Sequence, residues 1–216
     1  MLKKVAICFK GLNDEFEESY ENIKKCIYDS LENNGYEHIT FVTSTINNPE
    51  KFLSFVNTYK PVKITLNQNR KAPRWNEVLE TRSEHTIVPH QLNECMNMVE
   101  EYEKEKQICF DAILILRSDL TFNNPLHEYD INEECVNMEC MFVPDYNSGD
   151  CFFWIPLKYK QQAKQSFKDL ANERRSSHQA WAYFERNGIP THYVCGETTK
   201  RNPEYDIMFR FTRYIK

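Results

Sequence analysis

The sequence predicts an α/β fold with a central mixed, mostly parallel sheet of about six strands flanked by helices. One observation is the alternation of short apolar strands with amphipathic helices over the first half of the chain. Another is the continuous apolar run from Phe110 to Leu116, which is typical of a strand buried on both faces. The length of 216 residues, 41% of them hydrophobic, suits a single domain covering 1–216.

The first half of the chain predicts a β–α–β–α–β unit. Strands are expected at residues 4–9, 38–43 and 61–66. The first connecting helix has apolar residues at helical spacing from Phe16 to Leu31. The second begins at Asn48-Pro49, an N-cap residue followed by a first-turn proline. Such a unit favours parallel strands joined by right-handed crossovers.

The rest of the chain is less regular. A polar, basic segment at 67–86 predicts a long loop, and long loops within compact domains are often functional. A helix at 89–106 then leads into the strand that begins at Phe110 and ends at Arg117 and Asp119, whose side chains would point the same way if the extended geometry continues. The remaining predicted elements are strands at 140–143, 151–155 and 191–195, helices at 159–170 and 177–187, and an extended piece at 206–211.

Composition narrows the class of protein. A net charge of -5 argues against a protein that binds the nucleic-acid backbone. No apolar run approaches the roughly 20 residues of a membrane helix, and Met1 leads straight into a strand without a signal peptide. The 8 cysteines contain no CxxC pair, so reduced thiols in a cytosolic protein are expected. Whether the chain is a fragment of a longer, multidomain polypeptide stays open.

Four polar segments follow predicted strands, and the carboxyl ends of parallel strands are where open α/β sheets bind ligands. They are Lys10-Gly11, Thr43–Thr45, Arg70–Arg74 and Arg117–Asp119. Their donors suit a base, a ribose or a diphosphate. Two plainer interpretations stay open: a solvated charged loop at Arg70–Arg74, and a salt bridge at Arg117–Asp119 that only closes the strand.

Two further groups of residues could bind a ligand. Asp145 and Asp150 flank a turn that precedes the aromatic run from Phe152 to Trp154, and carboxylates beside aromatic rings suit a sugar. The alternative is an ordinary hairpin turn. His178 and His192 could complete a metal site with Asp119, although a lone histidine is more often a partly buried structural residue. The motifs GxSxG, HExxH, GxxxxGK[ST] and GxGxxG do not occur.

The sequence resembles GT-A-type glycosyltransferases in three places. The helix 91–107 followed by residues 110–120 is similar to a family block in which an amphipathic helix leads into a strand ending in Arg-x-Asp. Residues 5–11 with the Tyr20-containing helix resemble the family's first β–loop–α unit, and 147–154 resembles its second acidic loop. Within the family, the similarity is to the first domain of chlorella-virus multidomain glycosyltransferases that act on the major capsid protein.

This resemblance implies a mixed sheet flanked by helices, a UDP-sugar donor such as UDP-glucose or UDP-rhamnose, and manganese or magnesium. It also implies retaining transfer to a glycan or glycoprotein acceptor, here in capsid glycosylation. The metal would lie at Asp119 and His192, and Asp150, with Asp145 as second choice, would orient the sugar or the acceptor hydroxyl. The nucleotide would contact Phe9, Lys10, Gly11, Thr43, Arg70, Arg74 and Arg117. One departure is that the usual DxD motif is replaced by Arg117-Ser118-Asp119.

Three other classes of function remain as alternatives. The missing DxD favours a nucleotide-binding module that acts as a scaffold without transferase activity. Another α/β phosphotransfer or nucleotide-modifying enzyme is disfavoured because only 5 glycines occur and none forms a phosphate-binding loop. A purely structural protein would leave the polar strand ends without a purpose.

Overall fold

The computed structural model describes residues 2–11, 16–66, 87–142, 147–194 and 209–211. At 140–142, 147–150 and 209–211 it describes the backbone alone. The predicted loop at 67–86, with Arg70 and Arg74, lies outside the described residues, and so does Asp145.

A mixed, mostly parallel sheet of seven strands forms the centre of the described chain. The strands are β1 (Lys3–Gly11), β2 (Tyr36–Ser44), β3 (Lys63–Leu66), β4 (Ala112–Leu116), β5 (Leu120–Phe122), β6 (Val136–Phe142), β7 (Asn147–Pro156), β8 (Thr191–Tyr193) and β9 (Phe209–Phe211). The order in the sheet is β3-β2-β1-β4-β7-β6-β8, with β7 antiparallel to both neighbours, while β5 and β9 form a separate antiparallel pair. The predicted fold class is confirmed, with seven strands where about six were expected.

The helices lie on both faces of the sheet. They are α1 (Phe16–Ile23), α2 (Asp29–Asn33), α3 (Pro49–Tyr59), α4 (Ile87–Lys106), α5 (Lys160–Asn172) and α6 (Ala180–Arg186), with a π-helical turn joining α1 to α2. The predicted cap of α3 is present, because the Asn48 side chain accepts hydrogen bonds from the backbone N–H groups of Glu50 and Lys51 at 3.1 Å. Helix α4 begins at Ile87, two residues before the predicted start at Pro89, which a first-turn proline allows.

Alternating side chains of the central strands fill two cores. Val5, Ile7 and Phe9 of β1 belong to the core that includes residues of α1 and α3. Ala6 and Cys8 belong to the core that includes residues of α4, α5 and α6. All five residues of β4 are at most 3% exposed, which confirms that this strand is buried on both faces.

The described cysteines are free thiols: Cys8, Cys26, Cys95, Cys109, Cys135 and Cys151. Burial raises the pKa of the Cys8 thiol well above its ordinary value, so this side chain is packed as a small neutral hydrophobe. Among the helices within the described ranges, none combines the length and the apolar character that crossing a membrane requires.

A buried ion pair joins α4 to α5, and its carboxylate also binds the segment that precedes β4. Glu103 Oε1 accepts from the backbone N–H of Phe110 at 3.0 Å, and Oε2 accepts from Lys160 Nζ at 2.6 Å. Their side chains are only 7% and 13% exposed. We expect Glu103→Ala to lower the free energy of unfolding by about 3–5 kcal/mol, because it leaves the Lys160 charge buried without its carboxylate. Urea unfolding measures this.

The matched control for that measurement is Glu101→Ala on the same helix. Glu101 is 66% exposed and pairs with Lys63 at 3.2 Å, so its removal should cost less than about 1 kcal/mol. Equal losses for the two variants would contradict a special role for the buried pair.

Glu100 makes the α4–α5 contact dependent on pH. Hydrogen bonds from Lys164 and then Lys104 lower the pKa of its carboxyl group to about 2. A depressed folded-state pKa adds stability above the ordinary carboxyl pKa, and this stability disappears as the pH falls towards 2. The difference in unfolding free energy between the wild type and Glu100→Gln should therefore shrink from pH 6 to pH 3. A constant difference in urea unfolding at the two pH values would count against this.

Candidate functional site

The carboxyl edge of the sheet brings three predicted ligand-binding residues together. Lys10 of β1 pairs with Thr43 of β2. Phe9 pairs with Leu116 of β4, so the residues that follow them, Lys10 and Arg117, are neighbours across the two strands. Lys10 is 1% exposed and Thr43 is completely buried. The carboxyl ends of parallel strands are where open α/β sheets bind ligands, and a fixed cation at this edge suits an anionic one.

Arg117 and Asp119 form a bidentate pair immediately after β4. Arg117 Nε and Nη2 donate to the two carboxylate oxygens of Asp119 at 2.8 and 2.7 Å. The two side chains are 20% and 6% exposed, respectively. Strand β4 ends at Leu116, and the chain turns at 118–119 before β5 begins at Leu120 and pairs with β9, so the extended geometry does not continue through Arg117 and Asp119. The two side chains therefore meet across a turn and not along one extended strand.

Helix α1 fixes the turn that carries this pair. The hydroxyl of Ser19 donates to the carbonyl oxygens of Ser118 and Phe16. The amide side chain of Asn22 makes two hydrogen bonds to the backbone of Phe122. Its Nδ2 donates to the Phe122 carbonyl at 2.9 Å, and its Oδ1 accepts from the Phe122 N–H at 2.6 Å. The backbone on both sides of Asp119 is thus held by one helix, which limits how far the guanidinium can move.

The end of β1 is tied to the end of β2 by backbone bonds. Gly11 has a φ of +104°, which strains any residue with a side chain, and its carbonyl accepts from Ser44 Oγ at 3.1 Å and Thr45 N at 3.4 Å. Phe9 lies in the core, with its ring centroid 4.6 Å from that of Tyr59. Any contact of Phe9 with a nucleotide would therefore use its backbone.

His192 is not brought near Asp119. It lies on β8, which is three strands away from β4 in the sheet. His192 pairs with Asn137, Asn137 with Trp154, and Trp154 with Leu114, so His192 and Leu114 lie in the same row across the sheet. Strand spacing makes that separation about 14 Å across the sheet. The His192 Nε2 atom is instead 2.9 Å from the Asp130 carbonyl oxygen.

The described residues do not fit a metal ion held by the protein at Asp119. Both of its carboxylate oxygens bond to Arg117, so a divalent cation there would lie beside a guanidinium charge. No group of three or more histidine, cysteine, aspartate or glutamate side chains in the described part of the chain could hold a metal. The manganese site implied by the resemblance at Asp119 and His192 is therefore not assembled by the described residues.

Part of the predicted acidic loop belongs to a strand. Strand β7 begins at Asn147, where its backbone pairs with Phe142, so Asp150 lies within a strand and not in a turn. Phe152 pairs with Leu116 of β4, which places the backbone of Asp150 at the same sheet edge as Arg117. One predicted catalytic residue is thus at the edge with the predicted nucleotide-binding residues, and the other, Asp145, lies outside the described residues.

Glu139 is a residue at this edge that the sequence reasoning missed. It lies on β6, is 6% exposed, and its Oε1 accepts from the backbone N–H of Cys151 at 3.4 Å. The available signal was a single charged residue within the otherwise uncharged run 136–143. Carboxylates are almost never fully buried without a partner, so a charge at that place marks either a structural pair or a site.

No family model and no curated protein matches this chain. Among solved structures, one similar protein is from Desulfovibrio desulfuricans G20 and is assigned as a nucleotide-diphospho-sugar transferase, with 9% identity, a TM-score of 0.45, and coverage of 90% of this chain and 80% of that one. Another is a mutant of Drosophila β-1,4-galactosyltransferase 7 in complex with manganese, UDP-Gal and xylobiose, with 14% identity, a TM-score of 0.48, and coverage of 97% and 71%. At these identities no residue's role carries over to this chain.

Proposed function

We propose that this protein is a nucleotide-sugar glycosyltransferase that moves a hexose or deoxyhexose, glucose or rhamnose, from a UDP-sugar to a glycan or glycoprotein acceptor. The observation that carries the proposal is the meeting of Lys10, Thr43 and Arg117 at the carboxyl edge of the sheet, with the backbone of Asp150 beside them. Cations at a strand end suit a diphosphate, and a nearby carboxylate suits the sugar that it carries.

In this proposal Lys10 and Arg117 stabilise the negative charge that develops on the departing diphosphate. Fixed cations at that position lower the barrier because they are oriented before the bond breaks. Asp119 is a positioning residue, since its two hydrogen bonds hold the guanidinium in one orientation. The hydroxyl of Thr43 lies on the strand neighbouring Lys10 and could bond to a phosphate or ribose oxygen.

The carboxylates have separate proposed roles. Asp150 orients the transferred sugar or the acceptor hydroxyl, and Glu139 offers a buried carboxylate on the adjacent strand. Asp145, Arg70 and Arg74 stay predictions, as do the retaining outcome and the capsid acceptor. Manganese or magnesium also stays a prediction, because its ligands would have to include groups other than the described side chains.

Calorimetric titration with UDP, GDP, CMP and ADP, each in manganese and in EDTA, tests the proposal. We expect UDP to bind selectively in both buffers, since Lys10 and Arg117 are part of the chain itself. If UDP binds in the manganese buffer but not in EDTA, the metal site implied by the resemblance is supported. That result would contradict the proposal that side chains by themselves stabilise the charge of the diphosphate. The absence of binding for every nucleotide would overturn the transferase assignment.

A second candidate is a nucleotide-binding module without transferase activity. The Arg117–Asp119 pair favours it, because the carboxylate usually available to a metal is engaged at 2.7 and 2.8 Å. Release of UDP from UDP-glucose or UDP-rhamnose separates the two candidates. Turnover of either donor supports the enzyme, whereas saturable UDP binding with no release from any donor sugar supports the module.

A further inference from the structure

A cavity of about 210 Å³ opens at the other end of the sheet, where β2 begins. Its lining includes Asn34, Tyr36, His127, Tyr129, Glu133 and Trp154. Tyr36 precedes Thr43 by seven residues on β2. The rise of an extended strand makes that separation about 23 Å, so this cavity is distinct from the candidate nucleotide site.

Both aromatic and hydrogen-bonding side chains line this cavity. The ring centroids of Tyr36 and Trp154 lie 6.1 Å apart in an edge-to-face arrangement. His127 Nδ1 bonds to Ser30 Oγ at 2.8 Å, which fixes the imidazole and leaves its Nε2 for a ligand. Asn34 Nδ2 donates to the Ser30 carbonyl at 2.8 Å, which leaves the amide oxygen as an acceptor.

Trp154 supplies the observation that points to a ligand. It lines the cavity, is 4% exposed, and its indole Nε1 is buried with no hydrogen-bond partner in the described part of the chain. Buried indole N–H groups usually have an acceptor. A ligand oxygen in the cavity is a candidate acceptor for this group.

The charge and size of the cavity narrow the class of ligand. Glu133 is balanced by Lys3, whose Nζ lies 3.3 Å from its carboxylate, so the cavity offers no net charge for an ion. Its volume is below the roughly 300 Å³ at which pockets for drug-sized ligands begin. Flat rings beside amide, imidazole and carboxylate groups suit a small molecule with both an apolar face and hydroxyls.

We propose that this cavity is a second ligand site that binds one neutral, hexose-sized sugar ring. The sugar's apolar face packs on the aromatic rings, and its hydroxyls bond to Asn34, His127 and the indole N–H of Trp154. This inference does not rest on the proposed function, because the cavity and the nucleotide site share no residue.

Saturation-transfer NMR with methyl α-glucoside and methyl α-rhamnoside tests the proposal on the full chain. We expect transfer from the wild type and at least a tenfold weaker affinity in Asn34→Ala and His127→Ala, whose side chains are exposed and should not affect folding. Asn57→Ala, an exposed change on α3, is the matched control and should bind like the wild type. Trp154→Phe keeps an aromatic ring but removes the N–H, and its affinity should fall while urea unfolding shows a folded protein; an unchanged affinity would contradict the hydrogen bond to the indole.

Three results would overturn the proposal. They are no transfer to either glycoside, equal transfer in the wild type and in both cavity variants, or a preference for tetramethylammonium, which would indicate a cation site. A separate UDP titration of His127→Ala keeps the two sites distinguishable. Sugar binding without any UDP binding would leave this site standing and remove the proposed transferase function.

Discussion

A double variant that replaces Arg117 with methionine and Asp119 with leucine is expected to stay folded and to bind UDP more weakly than the wild type. Exchanging a buried ion pair for apolar residues of similar size is often neutral or stabilising. Loss of the guanidinium removes charge-assisted hydrogen bonds to the diphosphate, each worth about 1.5–3 kcal/mol. UDP affinity should therefore fall about tenfold to a hundredfold. Urea unfolding and calorimetry measure the two quantities on the same protein.

The single variants complete this test. Arg117→Met alone leaves a carboxylate that is 6% exposed without its cation, so it should lose about 3–5 kcal/mol of stability. Asp119→Leu alone should retain part of the UDP affinity, because the guanidinium stays but is no longer oriented. The competing interpretation is a salt bridge that only closes β4. It requires the double variant to bind UDP as tightly as the wild type, and that result would refute the role proposed for Arg117.

The sequence predicted those elements whose signals are local. The cap at Asn48-Pro49 marks the start of α3 because both its chemistry and its geometry lie within four residues. The apolar run at 112–116 marks β4 because burial on both faces leaves no polar position. The carboxyl-edge position of Lys10 and Thr43 then follows from parallel pairing alone.

Elements whose position depends on pairing between residues far apart in the sequence could not be predicted from the sequence pattern. Nothing in the local sequence shows that the chain turns after β4 so that Leu120 can pair with Phe211. The position of His192 likewise depends on β8 joining the far edge of the sheet beyond β6. Spacing along a chain does not specify which strands become neighbours, so a metal site built from Asp119 and His192 could not be checked before the fold was known.

Lys10→Met tests whether the Lys10 ammonium group binds the nucleotide or only stabilises the fold. We expect UDP affinity to fall at least about tenfold, because one fixed charge near the diphosphate is lost. We expect the free energy of unfolding to fall by about 1–3 kcal/mol, because the Lys10 side chain is 1% exposed and its partner within the protein loses the ammonium group. Calorimetry with UDP and urea unfolding measure the two effects.

Lys4→Met is the matched control, because it makes the same exchange on the same strand at the opposite end of the sheet. Lys4 pairs with Glu37 at 3.4 Å near the surface, so both UDP affinity and stability should stay close to the wild type. If Lys10→Met instead loses several kcal/mol of stability and keeps its UDP affinity, the ammonium group is part of the internal framework. The diphosphate would then have to be neutralised by Arg117 and by groups outside the described residues. A loss of affinity confined to Lys10→Met would instead identify the carboxyl edge of β1 as a nucleotide-binding position.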